Sequence, residues 1–279
     1  MTGVQTCALP IYAGDAGPRC DPAKPFGTPQ LVAGVNSGSY DSTFTPVPGE
    51  LVAYFYSMRA GTYDLFIATR PDLASAWSVS PITDLNTAST DKEPAPLADN
   101  SGLAFASNRP PADAGGDLYF ATNDGTTYTL VGPISNLNTT MIDYHPYFQP
   151  GTSTLWFASN RTGLLAIYTS TYQGGGSFSA PVQMSDLDVA GYDTEVAIPS
   201  PDGLVMYFRS NRPGSLGGID IWVATRASTS MPWGNARPVD EINSTVLDTP
   251  NWISGDLCTI YLSSSRTDAS DIFVATRSP

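Results

Sequence analysis

The sequence predicts an all-β protein, a five-bladed β-propeller built from four-stranded antiparallel blades. Three observations support this fold class. One motif recurs five times with a period of about fifty residues, which is typical of propellers and other repeat proteins. Each copy contains four short strand-like segments separated by turn residues. The chain also carries 25 glycines and 24 prolines among its 279 residues, and no segment has the composition of a helix.

The repeat is defined by three polar positions. Each copy has an asparagine or aspartate, then an aspartate five residues later, then an arginine 18 residues beyond it, or 19 in the fourth copy. The first position is Asn36, Asn86, Asn138, Asp188 and Asn243, the second is Asp41, Asp91, Asp143, Asp193 and Asp248, and the third is Arg59, Arg109, Arg161, Arg212 and Arg266. The midpoint of each aspartate–arginine interval falls at a hairpin turn. We therefore predict an ion pair or charge-assisted hydrogen bond across the hairpin in all five blades.

Four strands, A to D, are predicted in each copy. Strand A follows the aspartate, strand B precedes the Ser-x-Arg motif, strand C is a block such as Asp220–Thr225, and strand D is led by an aromatic residue. Strand B has apolar residues on both faces, which indicates sheets stacked face to face around an axis. The predicted blades cover about residues 41–83, 91–135, 143–183, 193–240 and 248–277.

The two ends of the chain are predicted to share the last blade. Residues 26–32 form a D-type strand and Asp271–Thr276 a C-type strand, so the first can complete the sheet that the second ends. This closure removes a free sheet edge and defines a propeller domain of residues 26–279 after a tail of residues 12–25. Cys20 and Cys258 both fall on the A–B turn face of that blade. They favour a single disulfide, with two unrelated thiols as the alternative.

Residues 1–11 are expected to be foreign to the fold. The segment from Thr2 to Ile11 resembles the translation of an adapter oligonucleotide used in DNA sequencing, and such a segment is excluded from fold reasoning. On this interpretation the natural N-terminus, with any signal region, is missing from the sequence.

Several motifs resemble a known family of repeats. They are Asp-x-x-Pro at 91–94 and 143–146, Ser-Pro-Asp-Gly at 200–203, Phe-x-Ser-Asn-Arg at 105–109 and 157–161, and Asp-Ile-Trp-Val-Ala at 220–224. They are similar to the WD-like propeller repeat of the Tol translocation protein, and closest to stand-alone versions from environmental bacteria. The resemblance spans about residues 26–277 and implies an exported protein that works by binding, whether periplasmic, secreted or a lipoprotein of the outer membrane. The chain departs from the pattern at Ala166, Asn251 and Phe44.

Composition argues against several functional classes. The net charge of −13 opposes binding to nucleic acid, which requires a basic face. No run of eighteen apolar residues predicts a transmembrane helix. One histidine excludes a His-Glu-x-x-His metal site, and neither a Gly-x-Ser-x-Gly elbow nor a phosphate-binding loop occurs. No cofactor and no metal site are predicted, with a divalent cation held by the axial aspartates as a minor alternative. We also expect a monomer.

Two acidic residues outside the repeat pattern carry the enzymatic alternative. Glu93 and Glu195 each follow a repeat aspartate by two residues, at a position occupied elsewhere by Thr43, His145 and Pro250. Because two carboxylates near a propeller channel can suffice for glycoside hydrolysis, a carbohydrate-active enzyme is one hypothesis. No catalytic residue is assigned.

The leading hypothesis is a non-catalytic binding or scaffold propeller of the bacterial envelope or exterior. It would recognise a protein partner or an envelope polymer through the face that carries the D–A and B–C loops. Tyrosines beside acids and amides suit such recognition. The candidate binding residues are Tyr40, Glu93, Met141, Tyr144, His145, Tyr192 and Glu195.

Overall fold

The computed structural model describes residues 18–110 and 116–279. The predicted adapter-derived segment, the start of the predicted tail and the tip of the B–C loop of blade two lie outside the described residues. Within these two ranges, no helix is long and apolar enough to cross a membrane.

The described chain forms 21 strands in five small antiparallel sheets. β1 (Gln30–Leu31) comes first. Blade one contains β2 (Asp41–Pro46), β3 (Val52–Ser57), β4 (Asp64–Thr69) and β5 (Ser78–Pro81), and blade two contains β6 (Asp91–Pro96), β7 (Gly102–Ser107), β8 (Asp117–Asn123) and β9 (Tyr128–Pro133). Blade three contains β10 (Asp143–Phe148), β11 (Thr154–Ser159), β12 (Ala166–Gly174), β13 (Ser177–Phe178) and β14 (Val182–Met184). Blade four contains β15 (Thr194–Pro199), β16 (Val205–Ser210), β17 (Asp220–Thr225) and β18 (Gly234–Pro238), and blade five contains β19 (Asp248–Ile253), β20 (Thr259–Ser264) and β21 (Asp271–Thr276).

The N-terminal strand closes the ring, as predicted. β1 pairs antiparallel with β21, with Gln30 opposite Val274 and Leu31 opposite Phe273. Backbone hydrogen bonds extend the pairing on both sides, from Gly27 N–H to the Thr276 carbonyl at 2.8 Å and from Val32 N–H to the Ile272 carbonyl at 3.0 Å. Blade five therefore takes its outer strand from the start of the chain, and the five-bladed propeller predicted from the repeats is confirmed.

The core lies between the blades. The strand B residue two before each Ser-x-Arg serine is almost fully buried: Phe55, Phe105, Phe157, Phe208 and Leu262. Aromatic rings join adjacent sheets; Phe44 of blade one, for example, packs on Tyr261 of blade five with ring centroids 4.9 Å apart. Burying each of these large side chains contributes about 1.5–3 kcal/mol, so packing between the blades stabilises the ring.

The repeat aspartates and arginines pair in four of the five blades. The arginine Nη2 to aspartate Oδ1 distances are 2.6, 2.5, 2.6 and 2.7 Å in blades one, two, three and five. Each arginine also donates to a carbonyl of the preceding D–A loop, as from Arg109 to Leu85, and each aspartate accepts from a backbone N–H of the same loop, as Asp91 does from Thr87. The pair thus fixes the loop between consecutive blades.

The fourth copy does not form the predicted Asp193–Arg212 pair. Thr194, rather than Asp193, lies opposite the strand B serine, in the position that an aspartate holds in the other blades. Arg212 donates to the Thr194 hydroxyl at 3.0 Å and to the Leu187 carbonyl at 2.6 Å. The interval from Asp193 to Arg212 is 19 residues because this D–A loop contains one extra residue. The extra residue moves Asp193 out of register.

The same shift corrects a second prediction. The third residue of strand A has a positive φ in four blades, and these residues are Thr43, Glu93, His145 and Val196. Glu195 therefore does not share the position of Glu93 and His145; by its pairing with strand B it aligns instead with Lys92 and Tyr144.

The two cysteines of the described residues form a disulfide. Cys20 and Cys258 are bonded, 238 residues apart in sequence, and the Cys20 N–H also donates to the Asp256 carbonyl at 2.8 Å. This covalent link holds the segment before β1 against the A–B turn of blade five.

Candidate binding face and channel mouth

The five A strands surround the central channel. Each of β2, β6, β10, β15 and β19 contacts the A strands of the two neighbouring blades. Their first residues follow the D–A loops, so the start of each A strand lies at the channel mouth on the face formed by the D–A and B–C loops, called here the loop face. Tyr144, His145, Glu93 and Glu195 lie within the first three residues of their strands, and the fold therefore gathers them at this mouth.

His145 links two glutamate-centred groups across the channel mouth. Its backbone N–H donates to Glu93 at 2.8 Å, and its Nδ1 lies 3.3 Å from the same carboxylate. Its Nε2 lies 3.5 Å from Nη2 of Arg209. This arrangement fits a neutral imidazole that donates from Nδ1 and accepts at Nε2. Burial, followed by the charges of Arg209 and Lys92, holds the pKa of His145 well below its usual value.

Glu195 is held by an arginine from the next strand. Arg209 contacts one carboxylate oxygen at 2.8 Å through Nη2 and the other at 3.1 Å through Nε, and the Tyr144 hydroxyl donates to Glu195 as well. Burial opposes the charge on Arg209, but Glu195, Tyr144 and Glu93 together outweigh that effect and the pKa of Arg209 is raised. Burial and the Glu195 charge also raise the pKa of the Tyr144 hydroxyl.

Glu93 has its own cationic neighbour. Lys92 Nζ lies 3.2 Å from the Glu93 carboxylate and 5.2 Å from the centre of the Tyr144 ring. Both glutamates are almost completely buried, and donors contact both oxygens of each. With exposed fractions of 1% for Glu93 and 3% for Glu195, neither carboxylate is open to a ligand in this arrangement.

The remaining predicted binding residues lie on the loops. Met141 and Tyr192 are exposed on the D–A loops that precede blades three and four. Tyr40 is partly buried in a cluster with Tyr56 and Tyr63, at ring-centroid distances of 5.9 and 5.4 Å. The seven candidates thus divide into four residues of one channel network, two exposed loop residues and one member of a tyrosine cluster.

The junction between blades three and four differs from the other four. At those junctions the repeat asparagine pairs with both the N–H and the carbonyl of one strand C residue, as Asn86 does with Leu65. Asp188 has no amide to donate and instead accepts from Gln183. Asp193, free of Arg212, accepts from the Leu165 N–H at 2.9 Å. Leu164, Val189 and Tyr192 are exposed beside it, by 45%, 36% and 36%.

Several residues of this face were not predicted from the sequence. Leu164 and Val189 belong to no repeat motif. The only sequence signals at their junction were Asp188 in place of the repeat asparagine and the interval of 19 residues between Asp193 and Arg212. Arg209 had a clearer signal, because it is the only charged residue in any of the five B strands.

Comparisons with known proteins find the same fold but no family. No protein-family model matches the chain, and no curated protein matches it. The TolB structure from Acinetobacter baumannii is similar with a TM-score of 0.54 and 14% identity, over 87% of this chain and 55% of that one. The chain therefore spans about half the length of that TolB.

Glycoside hydrolases are also similar in fold. A thermostable family-43 glycoside hydrolase gives a TM-score of 0.60 with 13% identity, over 88% of this chain and 91% of that one. An alpha-L-arabinofuranosidase from Podospora anserina gives 0.54 with 14% identity, over 91% and 97%. At such identities the likeness establishes the propeller fold alone, because one fold hosts unrelated functions.

Proposed function

We propose that this chain is a non-catalytic binding propeller that recognises a protein partner through its loop face, centred on the junction between blades three and four. The observation that carries the proposal is the chemistry of that junction. The repeat asparagine and the aspartate–arginine pair are replaced there, and Leu164, Val189 and Tyr192 are exposed instead. Exposed apolar side chains beside a tyrosine are typical of protein-binding surfaces.

The channel network supports a binding role rather than catalysis. General acid catalysis at a sugar requires a carboxyl group free to contact the glycosidic oxygen. Glu93 and Glu195 are instead bonded to His145, Lys92, Arg209 and Tyr144. The network therefore connects the A strands of blades two, three and four at the channel mouth. This rigid arrangement supports the loops of the binding face.

An exported protein related to the Tol-type repeats is part of the same proposal. The disulfide between Cys20 and Cys258 suits an oxidising compartment such as the periplasm or the cell exterior. The repeat motifs and the similarity in fold to TolB support the relationship.

Selection of peptides from a random displayed library tests the site. We expect selected peptides to bind the wild-type protein and to lose affinity about tenfold or more with Tyr192→Ala or Leu164→Asp. A central tyrosine commonly carries a large share of the binding energy, and a charge introduced at Leu164 would be desolvated on binding. Leu73→Asp and Met231→Asp are matched controls, since both residues are exposed by more than half on C–D turns. Peptides that ignore Tyr192 and Leu164, or that respond to the controls, would contradict the proposal.

A separate assay addresses the hydrolase alternative. The protein is incubated with nitrophenyl arabinofuranosides, xylosides and galactosides, alongside Glu93→Gln and Glu195→Gln. We expect no release of nitrophenol above the buffer rate from any of the three proteins. Turnover by the wild type that either substitution abolishes would establish an enzyme and overturn the proposal.

A further inference from the structure

A second repeated motif lies where the C strands end. Arg70, Arg226 and Arg277 follow strands β4, β17 and β21. Each places its guanidinium 4.1–4.2 Å from the centre of the aromatic ring that opens strand D, namely Trp77, Trp233 and Phe26. Each also donates from Nε to an A–B turn carbonyl, that of Glu50, Gly203 and Leu257. The three arginines therefore share one structural role.

In two of these blades the guanidinium also reaches across the gap to the neighbouring blade. Nη2 of Arg277 donates to the Tyr207 hydroxyl at 2.8 Å. Burial raises the pKa of the Tyr261 hydroxyl, and the charge of Arg70 acts on that hydroxyl to lower it. These tyrosines hold the same position of strand B, and Trp156 holds it in blade three. Because Trp156 has no hydroxyl, Arg226 lacks the phenolic acceptor that the other two arginines have.

The gap between blades three and four contains a cleft of about 610 Å³ on the side of the A–B turns, within the range typical of small-ligand sites. Arg226, Trp156 and Trp233 line it together with Gln149, Gln183 and Asp186. The cleft lies at the far end of the A strands from the loop face, so it is separate from the proposed protein-binding surface.

Two sets of hydrogen-bond donors at this cleft are unused by the described residues. Neither terminal nitrogen of Arg226 donates to any residue in ranges 18–110 and 116–279, where its one hydrogen bond runs from Nε to Gly203. The indole N–H of Trp233 is buried and also lacks a partner within those ranges. The Trp233 indole N–H is itself inaccessible, so the donors that a ligand in the cleft can reach are the terminal nitrogens of Arg226, which is partly exposed.

We propose that this cleft binds a short neutral oligosaccharide. A sugar hydroxyl both donates and accepts, and the cleft offers both partners: the donors of Arg226 and the carboxylate of Asp186, whose charge acts on Arg226. Val182 and the two tryptophans supply apolar surface, whereas the amides of Gln149 and Gln183 already hydrogen-bond neighbouring protein groups. The carboxylate of Asp186 opposes an anionic sugar, while Asp202 on the rim is already paired with Arg19. The inference does not depend on the proposed function.

Titration with cellotriose, maltotriose and β-1,3-galactotriose, followed by saturation-transfer NMR and calorimetry, tests the proposal. We expect at least one of them to bind and trigalacturonate to bind more weakly. Arg226→Met should weaken binding by about tenfold or more, since a hydrogen bond to a charged donor is worth that much. Arg70→Met is the matched control, because it removes the same stacking and the same turn contact in blade one, away from this cleft. It should leave the affinity within about twofold.

Trp156→Tyr separates the site from the stability of the blade. The new hydroxyl reproduces the contact that Tyr207 makes with Arg277, so it should satisfy Arg226, preserve folding and abolish binding. The proposal is overturned if none of the neutral trisaccharides binds at up to about 10 mM. It is equally overturned if Arg70→Met and Arg226→Met weaken binding alike, or if Trp156→Tyr leaves it intact.

Discussion

Replacing Asp143 by alanine should destabilise the protein far more than replacing Asp193, although the two residues hold the same place in the sequence repeat. Asp143 is completely buried. One of its oxygens accepts from Arg161 at 2.6 Å, and the other accepts from the N–H and the hydroxyl of Thr139, both at 2.7 Å. Its removal leaves a mostly buried guanidinium and a loop N–H without their acceptor.

The expected cost follows from those contacts. Breaking a buried ion pair by removing one partner costs about 3–5 kcal/mol, and we expect about 3 kcal/mol for Asp143→Ala because the Arg161 side chain keeps 17% of its surface exposed. Asp193 is partly exposed and accepts from the Leu165 N–H and more distantly from Asn211. Water can replace it at both groups, so Asp193→Ala should cost about 1 kcal/mol.

Urea unfolding followed by tryptophan fluorescence, with the disulfide intact, measures both variants. With an m-value of about 3 kcal/mol/M for a chain of this size, the midpoint should fall by about 1 M for Asp143→Ala and by about 0.3 M for Asp193→Ala. Equal shifts would refute the reasoning, because they would mean that Asp193 still supports Arg212 as the repeat spacing predicted.

Two further predictions concern the disulfide and His145. Reducing the disulfide should lower the free energy of unfolding by about 5 kcal/mol, because the disulfide closes a loop of 238 residues in the unfolded chain. A Cys20→Ser/Cys258→Ser protein should be as unstable as the reduced wild type and insensitive to dithiothreitol. Equal stability of the oxidised and reduced proteins would contradict this prediction. The pKa of His145 is lowered in the fold, so its neutral form contributes stability that is complete above the unfolded pKa of about 6.5 and is lost as the pH falls below it. Wild type should therefore lose stability relative to His145→Gln by up to about 1.4 kcal/mol per pH unit below pH 6.5. If the urea midpoints of the two proteins change equally between pH 7.5 and 5.5, this prediction is wrong.

The repeat spacing was enough to predict the ring. Five coincident registers predicted the blades, the closing strand and four of the ion pairs, because those features depend on local hairpins that recur with the sequence. The fifth pair was mispredicted because counting from Asp193 crosses an inserted loop residue. The insertion moves Thr194 into the aspartate position and Glu195 out of the position that Glu93 holds.

The channel network was beyond local spacing. Glu93 and His145 were singled out separately, but their contact joins residues 52 positions apart, and Tyr144 meets Glu195 across 51 positions. Such pairs depend on how neighbouring blades rotate against each other, which no single repeat encodes. The cleft beside Trp156 likewise lies between two blades. It depends on a tryptophan at the strand B position where blades four and five have a tyrosine.

The most direct test of the proposed binding site is to make the irregular junction regular. Residues 188–194 are replaced by the six-residue segment 86–91 of the second copy, which restores the asparagine, the aspartate opposite Arg212 and the standard loop length. The affinity of this protein for the selected peptides is then measured by calorimetry. We predict a protein at least as stable as the wild type that has lost peptide binding. Undiminished affinity would show that recognition lies elsewhere on the propeller.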